Sequence, residues 1–459
     1  MADNDIADKP VRIERDWTKG HTFYNFLRLA WPLIINESLW VVGSVVDMVW
    51  IGRLGSASIA GVGVAGIVVL ILMSARTGLN TGARILISRL IGAKDTAGAF
   101  HVAQQAFVVA AIYSSTMAAI GIIFAEVVLA FLGLQPDVVK EGAAYMRIQI
   151  GAAAMMGFWT IAESIMLASG DAIMPMKITI VARIVHLVLD PFLIFGWWIF
   201  PHMGVSGAAM ANVAGYGVGM GLCFWALLTG HTRLKLSFKG FVFNIRTIWR
   251  IVRIGFPAVV MSIQRSLGNL VLVRLIVPFG TLAIAANTLC ERIDMGISMP
   301  TQSFGQASGI LVGQNLGAGQ PARAERSAWQ AYAFVQGLMI IVAALIVFCA
   351  PSIIGIFNNE SGLIGVASTF LKIAAVGYLL MGIESVLQQS ISGAGDTIPP
   401  MVVSLVTLWI VQLPLAFLLS NYTDLDVLGI RWAMVVATAV GSLAYVIYFK
   451  SGRWKHRRV

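Results

Sequence analysis

Twelve stretches of the chain, each about 20 residues or longer, are predominantly apolar, and turn-forming or charged residues separate them. A helix needs roughly 20 such residues to cross the hydrocarbon core of a bilayer. The pattern therefore predicts spanning helices near residues 24–51, 59–90, 100–125, 142–169, 172–199 and 205–229. Six more follow near 249–276, 284–314, 327–350, 365–392, 398–419 and 428–449. The second six repeat the first at a constant spacing of 225 residues. Arg28 and Pro32 correspond to Arg253 and Pro257, and ILISRLIGAKDTAGA from Ile85 corresponds to ILVGQNLGAGQPARA from Ile310. Gly170, Asp171 and Pro175 correspond to Gly395, Asp396 and Pro400, and Gly204 and Ala208 to Gly429 and Ala433. One offset recurring in separated segments marks a duplication. Each copy holds an even number of spans, so both copies enter the bilayer in the same orientation, as in parallel-repeat transporters.

The expected fold class is all-α and polytopic, with twelve transmembrane helices in two pseudo-symmetric six-helix lobes. A cytoplasmic tail is expected over 1–23, an N-lobe over 24–229, a linker over 230–248, a C-lobe over 249–449 and a basic tail over 450–459. Composition agrees with this reading. Hydrophobic residues make up 58% and charged residues only 12% of the chain, where a soluble domain carries about 25% charged. Mean hydropathy is +0.82. The first twenty residues are charged throughout and lack the apolar core of a signal peptide.

The net charge of +10 does not point to nucleic acid, because its carriers collect on one side of the spans. That side holds Lys9, Arg12, Arg15, Lys19, Arg89, Lys94, Arg233, Lys235, Lys239, Arg246, Arg250, Arg323 and Arg326, then Lys450, Arg453, Lys455, Arg457 and Arg458. The opposite loops offer little beyond Arg53, Lys140 and Arg274. The positive-inside rule places both termini in the cytoplasm of a multi-pass plasma (inner) membrane protein. The terminal run WKHRRV is expected to set topology and to touch anionic lipid. Cys223, Cys290 and Cys349 lie in apolar runs without metal-type spacing and are expected to be packing residues.

Ionisable residues at membrane depth are costly and mark functional sites. Span 1 carries Glu37 and Asp47, which ten helical residues separate by about 15 Å. Span 5 carries Arg183, His186 and Asp190 at i, i+3 and i+7, hence on one face, and span 6 carries Asn212 near its start. Asp47, His186, Asp190 and Asn212 are expected at similar depth in the N-lobe. Two carboxylates together and away from water hold a proton more tightly, or share a sodium ion through oxygen ligands. A fixed Arg183–Asp190 pair is the structural alternative.

Other candidates line a substrate cleft or form structural ion pairs. They are Glu37 with Arg76, then Gln264, Arg265 and Asn269 in span 7, Glu291, Arg292 and Asp294 in span 8, and Glu384 in span 10. Arg265 is expected to pair with Glu384 or Asp294, and Glu163 to sit at an interface. Aromatic and methionine side chains facing a cleft suit flat, lipophilic cations. No phosphate-binding loop, HExxH motif or nucleophile elbow occurs, so direct ATP drive and hydrolase chemistry are not expected, and the chain is not expected to be an enzyme.

With these features the chain resembles the multidrug and toxic compound extrusion (MATE) family over about residues 24–450. PLIINESLWVVGSVVDMVWIGRLG, LVLDPFLIFGW, SGDAIMPM and SGAGDTIPPM carry the resemblance. It implies antiport of drugs, dyes or metabolites against H⁺ or Na⁺ through a V-shaped cleft, with no cofactor. In the DNA-damage-inducible branch, carboxylates of spans 1 and 5 form the cation site, and Asp47 and Asp190 match them. Asn212 stands where that pattern has a hydroxyl residue. His186 replaces an Asn, which favours H⁺ as coupling ion, with Na⁺ at Asp47, Asp190 and Asn212 as the alternative. Gln264 and Arg265 stand where other members have acids, which argues against a second-lobe cation site. Small amphipathic cationic substrates, the lipid bilayer and a functional monomer are expected. The rivals are a lipid-linked saccharide flippase of the same superfamily, an integral-membrane lipid-modifying enzyme and a channel.

Overall fold

The computed structural model describes residues 16–54, 56–131, 136–237, 241–357 and 360–457, and they are helical with short connections. In the first copy the helices are α1 (Thr22–Ile51), α2 (Ser56–Gly92), α3 (Thr96–Phe131), α4 (Pro136–Gly151), α5 (Ala153–Ser169), α6 (Ile173–Phe195) and α7 (Val205–Thr229). In the second they are α8 (Ile245–Ile276), α9 (Thr281–Gly317), α10 (Pro321–Gly355), α11 (Ser361–Gly393), α12 (Ile398–Leu405), α13 (Leu413–Tyr422) and α14 (Asp426–Lys450). Shifted by 225 residues, α2 falls on α9 from end to end. The tail expected over 1–23 lies outside the described residues up to residue 15.

Nine helices among the described residues are long and apolar enough to cross a membrane. The bent pair α4–α5, with 49° between its halves, makes a tenth span. Two further long helices, α2 and α9, are 37 residues each, about 55 Å of helix. They carry Arg76, Arg84 and Arg89 in one case and Glu291, Arg292 and Asp294 in the other. Twelve transmembrane helices result, with α12 and α13 joined through a π-helical stretch, Val406–Gln412, into one span.

Two compact units divide the chain inside helices. One comprises residues up to Lys19 and Trp31–Phe256, the other Gly20–Ala30 and Pro257–Val459. Helix α1 thus starts in the second unit and continues in the first, and α8 does the reverse. Pro32 and Pro257 stand at these switches inside their helices, where a missing N–H and a crowded ring permit bending. The start of α8 packs on α2 at backbone contact. A Cβ on Gly255 would lie 2.0 Å from the Gly78 carbonyl oxygen, and one on Gly82 2.2 Å from that of Ile251. In the second unit Phe26 of α1 packs against Phe304 and Phe334.

Trp17 and the segment 453–457 pack onto their own units. Trp17 Nε1 donates to the Gly170 carbonyl at 3.0 Å. Trp454 is fully buried against Phe449, with Lys455 on Glu325 at 2.6 Å and Arg457 beside Asp396 at 3.7 Å. The basic tail is therefore tied by internal acids as well as being basic. Cys223 and Cys290 are buried, whereas Cys349 is exposed on its apolar helix.

Candidate cation-coupling site

Helix α6 carries Arg183, His186 and Asp190 on one face, turned toward Asp47 of α1 and Asn212 of α7. His186 Nε2 lies 2.8 Å from Asp47 Oδ1 and 3.6 Å from Asp190 Oδ2. Asn212 Nδ2 donates to Asp47 Oδ2 at 2.9 Å and to the Ala208 carbonyl at 3.4 Å. One ligand atom from each of Asp47, His186 and Asp190 falls within 4.8 Å of the others. His186 and Asp190 are fully buried, and the Asp47 side chain is 15% exposed. All of this lies inside the first unit.

The charges do not cancel locally. Neither oxygen of Asp190 meets a hydrogen-bond donor among the described residues. A buried carboxylate in that condition is strongly disfavoured unless it takes a proton or a cation. Arg183 does not supply the countercharge by direct pairing. Its guanidinium lies 4.0 Å over the Trp40 ring and 5.9 Å from that of Trp159, and its Nη1 is 3.4 Å from His186 Nδ1. Trp40 and Trp159 pack at 5.0 Å between ring centroids. Gly43 makes room for this arrangement, since a Cβ there would lie 3.0 Å from Arg183 Nη1. The imidazole of His186 thus stands between the arginine and Asp47. For a sodium ion, Asp47 and Asp190 offer oxygens, and Asn212 would offer its own after an amide flip.

A family model, MatE, matches residues 32–192 and again 257–418, one copy of the repeat each time. The chain belongs to the MatE family. "Probable multidrug resistance protein YoeA" of Bacillus subtilis is 27% identical over 441 residues, 93% of each chain. "Probable multidrug resistance protein NorM" of Thermotoga maritima is 24% identical over 446 residues, covering 94% of this chain and 93% of its own. The fold matches that of a multidrug resistance MATE family transporter of the MOP superfamily in its outward-facing conformation. There the TM-score is 0.91 at 21% identity, over 98% of this chain and 100% of that one. As a member of this MATE family, the chain is a multi-pass membrane transporter and not an enzyme.

The other candidates fall into separate places. Glu37 acts electrostatically on Arg84, while Arg76 lies in the field of Tyr216, Tyr113 and Glu163. Glu163, expected at an interface, is buried and accepts a hydrogen bond from Asn36 Nδ2. In the second unit Gln264 Nε2 donates to Ser404, and Asn269 is exposed. Arg265 acts electrostatically on Glu384. Asp294 pairs with Arg431 instead, at 3.4 Å, and accepts a hydrogen bond from the Tyr378 hydroxyl. Asn287 Nδ2 donates to Glu291 Oε1 at 2.9 Å, and Arg431 Nη2 donates to Asn287 Oδ1 at 2.8 Å. Sequence reading passes over Arg431, Tyr378 and Asn287. An arginine inside span 12 is the signal that marks this cluster.

Proposed function

We propose that this MATE-family chain is a secondary active exporter. It moves amphipathic organic compounds, cationic ones above all, out across the plasma (inner) membrane in exchange for an inward monovalent cation, with H⁺ favoured over Na⁺. The observation that carries this reading is the buried Asp47–His186–Asp190–Asn212 cluster, whose Asp190 carboxylate has no donor among the described residues. Two carboxylates against the single fixed charge of Arg183 leave room for one positive charge. Imidazole at the centre suits a proton better than a hard cation that prefers oxygen ligands.

Loading and unloading that charge biases the two lobes between inward-open and outward-open states, with α1 and α8 bending at Pro32 and Pro257 as the lobes rock. Both helices pass from one unit into the other, which supports this role. One charge crossing 100 mV contributes about 2.3 kcal/mol, enough for roughly fifty-fold accumulation. The names of the Bacillus and Thermotoga relatives support organic drugs as cargo.

The test is ethidium accumulation by inside-out vesicles containing the protein, with a pH gradient and a sodium gradient imposed separately. Accumulation driven by the pH gradient is the expected result. Accumulation under neither gradient removes ion-coupled export from consideration.

A further inference from the structure

The second unit buries an arginine that the coupling reading does not use. Arg431, in the second turn of α14, is 3% exposed. Its Nη1 faces Asp294 Oδ2 at 3.4 Å, and its Nη2 donates to Asn287 Oδ1 at 2.8 Å and to the Asn287 carbonyl at 3.4 Å. The Phe370 ring lies 5.2 Å from the guanidinium carbon. Asp294 also accepts from Tyr378, and Asn287 passes the network on to Glu291. The cluster joins α9, α11 and α14 and is built as a guanidinium receptacle: a carboxylate, an amide oxygen, a backbone carbonyl and an aromatic face.

The repeat sharpens the point. At the positions equivalent to Asn287, Glu291, Asp294, Tyr378 and Arg431, the first copy has Val62, Gly66, Val69, Ala153 and Ser206. The receptacle therefore has no counterpart at the equivalent positions of the first copy.

We infer that Arg431 is a tethered cation that permanently fills an organic-cation site formed by Asp294, Asn287, Tyr378 and Phe370. The second unit consequently takes up no exchangeable cation at this cluster. Removing the side chain opens a site for a small planar guanidinium or amidinium ion, because the surrounding acceptors remain in place. Without Arg431 the partly buried Asp294 carboxylate and the Asn287 oxygens lose their donor, so the opened site takes the ion up and gains stability by mass action. The inference stands on this cluster alone and is independent of the first-unit reading.

The experiment uses the full-length protein in detergent micelles, with thermal unfolding followed by intrinsic fluorescence and methylguanidinium as probe. Arg431→Ala is expected to unfold at a lower temperature than the wild type and to be stabilised saturably by methylguanidinium. Tetramethylammonium at equal ionic strength is expected to have little effect, since it cannot donate hydrogen bonds. Arg431→Ala/Asp294→Asn is expected to lose the methylguanidinium response. If Arg431→Ala cannot be purified, Arg431→Gly made with methylguanidinium present throughout is the substitute, and it is expected to aggregate when the ion is dialysed away. A methylguanidinium response equal in wild type and variant overturns the inference, as does a response that survives loss of the Asp294 charge.

Discussion

The first unit brings Asp47 and Asp190 to one imidazole and holds Arg183 on the far side of that ring, over the Trp40 indole. The second unit places Arg431 directly against Asp294 and Asn287. The two copies share their helical frame, yet each cluster exists once. Where the first copy has Asp47, Arg183, His186, Asp190 and Asn212, the second has Leu272, Leu408, Val411, Leu415 and Ala437. Even the packed pair Trp40 and Trp159 is exchanged, for Arg265 and Glu384. Charge cancelled by direct contact makes a fixed strut, whereas charge held one ring away leaves an acid to be neutralised from outside. On the proposed function, the duplicated scaffold divides labour, one half exchanging an ion and the other holding its spans together.

The largest expected effect follows from that division. Asp47→Asn should abolish gradient-driven ethidium efflux while leaving expression intact, because an amide cannot carry the exchanged charge. Asp294→Asn should leave coupling in place and act on stability. Efflux assays in vesicles, normalised to protein in the membrane, compare the two directly. Full transport by the Asp47 variant would remove that carboxylate from the mechanism.

Next in size is the contrast between the arginines. Arg431→Met strands Asp294 beside an apolar side chain and should cost about 3 kcal/mol, since breaking a buried ion pair leaves one charge uncompensated. Arg183→Met removes a guanidinium with no acid at ion-pair distance among the described residues, and the loss of its indole contacts should cost only about 1 kcal/mol. Unfolding in mixed micelles at increasing dodecyl sulfate measures both. Equal losses at the two sites would mean that Arg183 is paired more directly than its surroundings imply.

Much of this division was legible in the sequence. Bilayer thickness imposes the span length, so the twelve apolar runs and their 225-residue repeat read directly. Arg183, His186 and Asp190 share one helix, and i, i+3, i+7 spacing places them on one face. Arg431 is different, because its partners Asn287 and Asp294, and Tyr378 that donates to Asp294, lie on two other spans and no local spacing links them. The switches of α1 and α8 between units also escaped, since a continuous helix gives no compositional sign of changing neighbours. Glu163 is buried in the first unit, where Asn36 donates to it from another span, a partner that no local spacing marks.

A smaller effect tests the choice of ion. His186→Asn puts an amide oxygen where the imidazole stands, beside Asp47 and Asp190. The ratio of sodium-driven to proton-driven efflux should rise by on the order of tenfold, as an oxygen ligand suits a hard cation better. The same vesicles with separate gradients give the ratio. An unchanged ratio would show that His186 does not set ion preference.

The smallest expected effect lies back in the second unit. Tyr378→Phe removes the hydroxyl that donates to Asp294 and keeps the ring, so packing is preserved and one acceptor loses one donor. Arg431 still faces the same carboxylate, and the Asp294 side chain, 27% exposed, keeps access to water in which to recover part of the loss. The cost should be about 1 kcal/mol, the typical net worth of one hydrogen bond, against about 3 kcal/mol for Arg431→Met. Combining the two changes should cost less than their sum, because both act on one carboxylate. Additive costs would instead mean that Tyr378 and Arg431 stabilise the bundle separately, and that Asp294 is not the hinge of the cluster.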